Sequence, residues 1–435
     1  MHSLTFAVQD FLDFFQDTLA WIMNLGPAQF CRVFWAMLFL EIPRYVLTDF
    51  WILGVWLLQG RRTPMPVVPA DPPLVSVVLP ALNEEEVIEY TVKSLREQTY
   101  PKLEIIVVDD GSTDRTPEIC RALAERGWIR LLRMEVRQGK SAALNFGVRA
   151  CRGEYVIFMD TDSTLDREAI VRLLEPFADP QVGAVAGNLE VRNQTVNLLT
   201  RFQALEYVTA MSVGRRFKAH AGILSIVPGA FGAFRRPLLD RVGGHEPGPG
   251  NDSDLTIRIR KLANRVAFAG DAICMTAAPT TWKSWVKQRL RWDRNIIRNR
   301  VRKHSDVYDI FQVNFGFANL VSFLDILFFA ILLTFMWLVY FVDVMIHYPW
   351  QFPTILLANF VMHLILKLVQ FFIGLAFSTR PRDHFPLIVV TPVFGFYRLA
   401  AKFVRIVATI QELVFRRSYR DPFAPEKVQR EMEVY

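Results

Sequence analysis

Long apolar segments with few charges interrupt this chain, and they constrain its fold more than any other feature. A helix needs about 20 largely apolar residues to cross the hydrocarbon core of a membrane. Residues 31–58, 316–342 and 353–377 meet this requirement. Residues 385–415 begin apolar but acquire arginine and lysine before their midpoint, so they are predicted to form either a further crossing or an amphipathic helix at the membrane surface. With 52% hydrophobic residues overall, the chain is predicted to be a multi-pass membrane protein.

Between the apolar segments, charged and apolar residues alternate as they do in a globular domain. The chain divides into an N-terminal segment with a membrane helix (1–60), a globular domain (61–281), amphipathic interface helices (282–314), C-terminal membrane and interface helices (315–415) and a basic tail (416–435). The four cysteines form no close pair, which indicates neither a zinc site nor a disulfide framework. An N-terminal region without positive charge argues against a cleavable signal peptide.

The positions of lysine and arginine predict an orientation in the membrane. The first 30 residues contain neither, whereas Arg61 and Arg62 follow the first apolar segment and a basic cluster at 298–303 precedes the second. Because basic residues are retained on the cytoplasmic side, we expect the N-terminus outside the inner (plasma) membrane, and the globular domain and the tail in the cytosol. The net charge of +7 is concentrated beside these segments, which favours membrane lipids or a phosphorylated substrate as partners and argues against nucleic acid.

Within the globular domain, valine-rich apolar runs alternate with amphipathic segments. The runs are typical of strands buried on both faces, and the segments between them are typical of helices. The predicted strands are 74–80, 103–108, 128–134 and 154–159, and the predicted helices are 84–98, 114–125 and 141–150. This alternation indicates right-handed βαβ units and an α/β, mainly parallel, Rossmann-like sheet. Such sheets bind ligands beyond the carboxyl ends of their strands.

Polar residues follow three of the predicted strands: Asn83 and Glu84 the first, Asp109 and Asp110 the second, Asp160 and Asp162 the fourth. Two carboxylates at one strand end can share a Mg²⁺ or Mn²⁺ ion, and the alternative is that Asp160 and Asp162 only cap a turn. No glycine-rich dinucleotide motif follows the first strand. Met134 stands where a phosphate-binding loop ending in Gly139-Lys140-Ser141 needs its first glycine, which excludes that motif too.

Six short motifs then occur in order along the chain. They are PALNE at 80–84, DDGS at 109–112, GKSAALN at 139–145, DTD at 160–162, GND at 250–252 and QRLRW at 288–292. Over residues 74–303 the chain resembles the family 2 glycosyltransferases with a GT-A fold. Within them it is most similar to the membrane-embedded processive polysaccharide synthases, which make hyaluronan, chitooligosaccharide, poly-N-acetylglucosamine or cellulose. The resemblance implies a cytosolic GT-A domain inserted between transmembrane helices, with amphipathic interface helices.

For the nucleotide-sugar donor, the resemblance implies a binding site at the first three motifs. Asp109 or Asp110 is expected to contact the nucleotide base, with Asn83 and Glu84 nearby. Lys140 is expected to approach the diphosphate, and its alternative role is that of a solvated lysine at a helix start.

For the chemistry, the resemblance implies a metal and a general base. Asp160 and Asp162 are expected to hold Mg²⁺ or Mn²⁺ on the diphosphate, and Asp252 to act as the general base. In this family an acid usually precedes the base, whereas Asn251 stands there, and Asp254 is the alternative base. The residues expected over donor and acceptor are Gln288, Arg291 and Trp292, and residues 228–234 are expected to position the acceptor.

The function implied by the resemblance is that of a processive, inverting, metal-dependent β-glycosyltransferase. It is expected to polymerise a sugar from UDP-glucose or UDP-N-acetylglucosamine on the cytosolic face and to secrete the polysaccharide, with accessory export subunits as further partners. One alternative is a non-processive membrane glycosyltransferase with a lipid-linked acceptor, and another is a non-catalytic membrane protein with a decayed transferase domain. Consumption of a nucleotide sugar in the presence of a divalent metal separates the last alternative from the other two.

Overall fold

The structure is a computed structural model, and it describes residues 13–14, 16–17, 20–59, 68–311 and 316–420. The expectations for Arg61 and Arg62, for the first dozen residues and for the basic tail beyond residue 420 lie outside the described residues.

An eight-stranded mixed sheet forms the centre of the globular domain. Its strands are β1 (Val75–Ala81), β2 (Leu103–Asp110), β3 (Arg130–Met134), β4 (Tyr155–Met159), β5 (Thr164–Leu165), β6 (Val182–Val191), β7 (Phe231–Arg235) and β8 (Arg265–Thr276). They lie in the order β3-β2-β1-β4-β7-β6-β8-β5. The four predicted strands β1–β4 are parallel, as expected, whereas β7 runs antiparallel to both β4 and β6. The sheet is therefore parallel on the side that the sequence pattern indicated and mixed beyond it.

Helices cover both faces of this sheet and extend beyond it. They are α1 (Pro27–Val33), α2 (Ile42–Gln59), α3 (Ile88–Arg96), α4 (Thr116–Glu125), α5 (Lys140–Ala150), α6 (Ala169–Leu174), α7 (Leu198–Glu206), α8 (Gly214–His220), α9 (Arg236–Val242), α10 (Asn251–Lys261), α11 (Trp282–Ile297), α12 (Phe317–Ile326), α13 (Leu333–His347), α14 (Phe352–Phe377), α15 (Pro381–His384) and α16 (Phe394–Phe415). A π-helical turn, Tyr207–Val213, joins α7 to α8. The predicted helix 84–98 begins only at Ile88, because residues 84–87 form a turn over the carboxyl end of β1.

Alternate residues of the parallel strands enter two separate apolar cores. Val77 and Leu79 pack with Val92 of α3, whereas Val78 packs with Leu144 of α5 on the opposite face. This is the two-residue period of a strand with both faces covered. At Gly147 of α5, an added Cβ would lie 2.4 Å from Cγ1 of Val78, so only glycine permits this close approach of helix to sheet.

Three helical segments are long and apolar enough to cross a membrane within the described part of the chain: Phe317–His347, Phe352–Phe377 and Pro381–Phe415. Residues 31–58, which were predicted to contain the first crossing, include α2 but are not among the three. Glu41 and Asp49 of that region are buried inside the helical assembly. The number of crossings and their orientation therefore remain predictions.

The last of these segments also packs against α11. Helix α16 lies along α11, with Nε of Arg405 3.0 Å from Oδ1 of Asp293. Charged residues of the other apolar helices contact the globular domain as well. Lys367 Nζ donates to Thr209 Oγ1 at 2.6 Å, and Asp325 pairs with Lys218. These contacts join the apolar helices to α11 and to the globular domain.

Candidate active site

A cavity of about 1010 Å³ opens at the carboxyl edge of the parallel strands. It lies between the sheet, α10 and α11, where the sequence analysis placed the ligand. The predicted residues that line it are Lys140, Asp160, Asp162, Asp252, Gln288, Arg291 and Trp292. The remaining predicted residues, Asn83, Glu84, Asp109 and Asp110, are not part of the lining of this cavity.

Asp109 and Asp110 are the last two residues of β2, and the carboxylates of both accept hydrogen bonds from backbone N–H groups. The carboxylate of Asp110 accepts from the backbone N–H groups of Gln138 at 2.7 Å and Gly139 at 2.8 Å, which fixes the start of α5. Burial raises the pKa of Asp110 above its usual value. Asp109 is fully buried and accepts from the Ser112 N–H at 2.9 Å. Their contact with a nucleotide base remains a prediction.

Asn83 and Glu84 form the turn that follows β1. Asn83 has a left-handed backbone (φ 57°), and its Oδ1 accepts from the Thr113 N–H at 2.9 Å, which ties the end of β1 to the end of β2. Burial raises the pKa of Glu84 to about 7, and the nearby carboxylates of Asp162 and Asp160 raise it in the same direction. Glu84 therefore lies within electrostatic reach of the predicted metal ligands, although it is outside the cavity lining.

Asp160 and Asp162 follow β4 directly and face the cavity with Lys140, which pairs with Asp160. Burial has the largest effect on the pKa of Asp162 and raises it. The negative charge of Asp160 raises this pKa further. Such a pair of like charges is relieved by a divalent cation. No group of three or more acidic, histidine or cysteine side chains in the described part of the chain could form a metal site. The two carboxylates fit a hard cation that takes its other ligands from a diphosphate and water.

Asp252 lies in the first turn of α10, where its Oδ1 accepts from the Ser253 N–H at 2.7 Å. Asn251 Nδ2 donates to Ser141 Oγ at 3.0 Å, which joins this turn to α5. A Cβ added at Gly229 would lie 3.7 Å from both Asp252 Cβ and Lys140 Nζ. Gly229 thus leaves space beside Asp252, and the role of residues 228–234 in positioning the acceptor remains a prediction. Asp254 is buried and does not line the cavity.

The QRLRW motif is helical and lies within α11. Gln288, Arg291 and Trp292 are three and four residues apart, so they share one face of the helix, and this face lines the cavity. Gln288 Oε1 is buried without a hydrogen-bond partner among the described residues. Arg289, which the sequence analysis did not single out, points away from the cavity and pairs with Glu206.

Three further residues line the cavity although no motif or periodic pattern in the sequence marks them. Tyr207 and Arg215 reach the cavity from the π-helical turn and the helix that follows it, and His245 reaches it from the loop before α10. Burial lowers the pKa of the Arg215 guanidinium, while Tyr207 and Asp252 nearby counteract that effect. Burial also lowers the pKa of His245 to about 3, so this ring is neutral at physiological pH. Their chain positions lie outside every recognisable motif.

The mixed sheet with helices on both faces is the fold of the GT-A class. Residues 76–243 match the model of glycosyl transferase family 2, so the chain carries a family 2 glycosyltransferase domain. The sequence-based recognition of this family and its fold is confirmed.

Two curated relatives are similar to the same part of the chain. "Probable glycosyltransferase YdaM" of Bacillus subtilis is 38% identical over 232 residues, which cover 51% of this chain and 55% of that protein. Poly-beta-1,6-N-acetyl-D-glucosamine synthase of Staphylococcus epidermidis is 30% identical over 220 residues, which cover 50% of this chain and 53% of the relative. The chain therefore spans about half the length of the curated relatives it matches.

A solved structure is similar over a longer part of the chain. It is a mannosyltransferase from Pyrobaculum calidifontis in complex with GDP-Man and Mn²⁺. The TM-score is 0.56 at 25% sequence identity, and the match covers 85% of this chain and 96% of that one.

Proposed function

We propose that this protein is a processive, inverting β-glycosyltransferase that polymerises a sugar from a UDP-activated donor at the cytosolic face of the inner membrane. One observation carries the proposal. A single cavity gathers the carboxylate pair Asp160 and Asp162, the candidate base Asp252 and the side chains of the QRLRW helix. The cavity therefore contains a suitable side chain for each part of the substrates: the donor diphosphate, the acceptor hydroxyl and the acceptor sugar ring.

In the proposed reaction, Asp252 accepts the proton of the acceptor hydroxyl as that oxygen attacks the anomeric carbon. The donor bond to the diphosphate breaks on the opposite side, so the configuration inverts. One carboxylate suffices for this step, because no covalent sugar–enzyme intermediate forms. Lys140 and Arg291 contact the departing diphosphate and stabilise its charge.

Asp160 and Asp162 would hold Mg²⁺ or Mn²⁺ beside the diphosphate. When bound, the cation supplies charge neutralisation for the leaving group. The two carboxylates on one turn, both in the lining of the cavity, support this assignment. The Mn²⁺ in the similar mannosyltransferase supports it independently.

Trp292 is proposed to stack on the acceptor sugar, and Gln288 to donate to or accept from a hydroxyl of donor or acceptor. An aromatic ring beside an open cleft suits the apolar face of a sugar, and the unpartnered Gln288 Oε1 suits a hydroxyl. Retention of the product chain between additions, which is processivity, then rests on this face of α11.

N-acetylglucosamine is our first choice for the transferred sugar, since a relative is named as a poly-N-acetylglucosamine synthase. The GDP-mannose bound by the similar mannosyltransferase makes a guanosine donor the alternative.

We propose further that the apolar helices conduct the polymer across the membrane, with lipids and accessory export subunits as partners. The apolar segments Phe317–His347, Phe352–Phe377 and Pro381–Phe415 support this part of the proposal.

The test is to incubate the purified full chain with UDP-N-acetylglucosamine, UDP-glucose and GDP-mannose separately, each with Mg²⁺, Mn²⁺ or a chelator. We expect release of UDP and a β-linked polymer with one UDP-sugar and a metal, and no release with the chelator. A product with a single added sugar on a lipid acceptor would refute processivity. Failure to consume any donor under all conditions would refute the enzymatic function itself.

A further inference from the structure

Arg289 lies on the side of α11 that faces away from the cavity, among buried polar groups of two other helices. Its guanidinium forms a two-point ion pair with Glu206 at the end of α7: Nη1 lies 3.0 Å from Oε1, and Nη2 contacts Oε2. The hydroxyl of Tyr397 in α16 accepts from Arg289 Nη2 at 3.0 Å and donates to Glu206 Oε2 at 2.6 Å. Arg289 and Tyr397 are almost completely buried. The three side chains therefore bond to one another, while Arg289 Nε has no hydrogen-bond partner among the described residues.

The same guanidinium faces the ring of Trp292. Its Cζ lies 4.8 Å from the ring centroid, within the range of a cation–π interaction. Trp292 lines the cavity and Arg289 does not, so the charge contacts the ring from outside the cavity lining. The orientation of the Trp292 ring is thereby coupled to the position of Arg289.

Tyr397 is itself held firmly between aromatic rings. Its ring stacks on Phe394 with centroids 5.3 Å apart, and it lies 5.4 Å from Phe202 of α7. Its hydroxyl also accepts from Nε1 of Trp285 in α11 at 3.1 Å. Helices α7, α11 and α16 meet at this residue. Tyr397 cannot shift without disturbing the hydrogen bonds of Arg289.

We propose that Arg289 is a positioning residue that holds the Trp292 ring toward the acceptor, and that Glu206 and Tyr397 fix Arg289 for this purpose. The last apolar helix, which contributes Tyr397, is then part of the acceptor-binding machinery and not only an anchor. This inference rests on the proposed function, in which Trp292 contacts the acceptor sugar. Disturbing the triad of Arg289, Glu206 and Tyr397 weakens acceptor binding more than donor binding. Arg289 contacts the ring proposed to bind the acceptor, whereas most of the proposed donor contacts lie outside α11, on α5 and on the turn after β4.

Two variants disturb the triad in graded steps. Arg289→Lys keeps the charge that Glu206 requires but loses the two-point geometry. Tyr397→Phe removes one hydroxyl and retains the ring packing. The matched control is Arg405→Gln, which breaks the ion pair to Asp293 between the same two helices, where neither side chain lines the cavity. All three are measured in the full chain.

The first measurement is steady-state kinetics with an added acceptor oligosaccharide. We expect the KM for the acceptor to rise about tenfold in Arg289→Lys, which corresponds to about 1.4 kcal/mol, and to rise less in Tyr397→Phe. The KM for the UDP-sugar should stay at the wild-type value in both. Arg405→Gln should match the wild type in every parameter. An equal change in all three variants would show that only helix packing matters, and would overturn the proposal.

The second measurement does not depend on activity. The chain is labelled with 5-fluorotryptophan, and Trp292→Phe identifies the fluorine resonance of Trp292. This resonance should shift in Arg289→Lys and Tyr397→Phe but not in Arg405→Gln. An unshifted resonance together with an unchanged acceptor KM would overturn the proposal. If Trp292→Phe itself retains the wild-type acceptor KM, the acceptor role of Trp292 in the proposed function is wrong, while the resonance shifts still decide whether Arg289 positions the ring.

Discussion

The carboxylate of Asp254 lies 2.9 Å from Nε2 of His304, in a buried cluster two residues beyond Asp252 in the sequence. Lys303 Nζ is 2.6 Å and Arg258 Nε is 3.0 Å from the same carboxylate. Burial opposes ionisation of Asp254, but the His304 hydrogen bond and the Lys303 and Arg258 charges outweigh it and hold its pKa well below the usual value. A carboxylate held in this way binds protons poorly and is not open to an acceptor.

Asp252→Asn should therefore impair sugar transfer, whereas Asp254→Asn should impair the stability of the fold. We expect Asp252→Asn to lower sugar transfer about 10²–10⁴-fold, the usual contribution of a general base, with nucleotide binding and thermal stability retained. Asp254→Asn should destabilise the fold by about 2 kcal/mol, because it removes a buried carboxylate that accepts from His304, Lys303 and Arg258, although Glu246 still pairs with the two cations. UDP release, nucleotide titration calorimetry and thermal unfolding separate the two outcomes. Polymer synthesis at the wild-type rate by Asp252→Asn would contradict the assignment.

Gln288→Leu should separate function from stability. The buried Oε1 of Gln288 lacks a partner among the described residues, and an apolar side chain of similar size removes that cost. We expect the free energy of unfolding to stay equal or to rise by about 1 kcal/mol, while sugar transfer falls because a contact to substrate is lost. Denaturant unfolding and turnover are measured on the same preparation. A loss of stability without a loss of turnover would point to a purely structural glutamine.

Gly229→Ala tests whether the space beside Asp252 receives substrate. The new methyl group would meet Asp252 Cβ and Lys140 Nζ at 3.7 Å, an ordinary contact distance, so stability should change little. We expect kcat/KM to fall about tenfold, because the methyl group occupies space next to the reacting oxygen. If kinetic constants remain at wild-type values, the acceptor hydroxyl binds elsewhere.

Acidification should destabilise the protein through His245. Burial lowers the pKa of this histidine from 6.5 to about 3, so the unfolded chain binds a proton as the pH falls below 6.5 and the folded chain does not. Between pH 7 and pH 5 the free energy of unfolding should fall by about 2 kcal/mol for this reason. His245→Phe removes this contribution and should lose that much less stability over the same interval. Unfolding free energies at the two pH values provide the comparison, and equal losses in both proteins would show that His245 is not held neutral.

Much of the sheet could be predicted because buried parallel strands leave continuous apolar runs. The predicted strands 74–80 and 103–108 agree within two residues at each end with β1 (Val75–Ala81) and β2 (Leu103–Asp110). The antiparallel strand β7 was not predicted. Its pairing with β4 joins Phe231 to Met159, and such distant pairing leaves no periodic pattern in the sequence.

The candidate site was predicted in part for a related reason. Asp160 and Asp162 were predicted because they follow a strand, and the carboxyl ends of the strands converge in a sheet of this kind, whereas Lys140 was expected from the family resemblance. Tyr207 and Arg215 were not found, because the π-helical turn Tyr207–Val213, which packs against α14, and the helix α8 that follows it bring them to the cavity. No local rule relates that turn to the strand ends.

By itself, the sequence determined the α/β class of the globular domain, the apolar helices beside it and the side chains available for chemistry, because periodicity and residue type are local properties. Only the tertiary structure decided which of those side chains share a cavity, that Asp254 is buried in an ion-paired cluster, and that Arg289 supports Trp292. Those outcomes depend on contacts such as that between Arg289 and Tyr397, which lie 108 positions apart. Packing of whole helices against one another brings such residues together, and no short stretch of sequence encodes it.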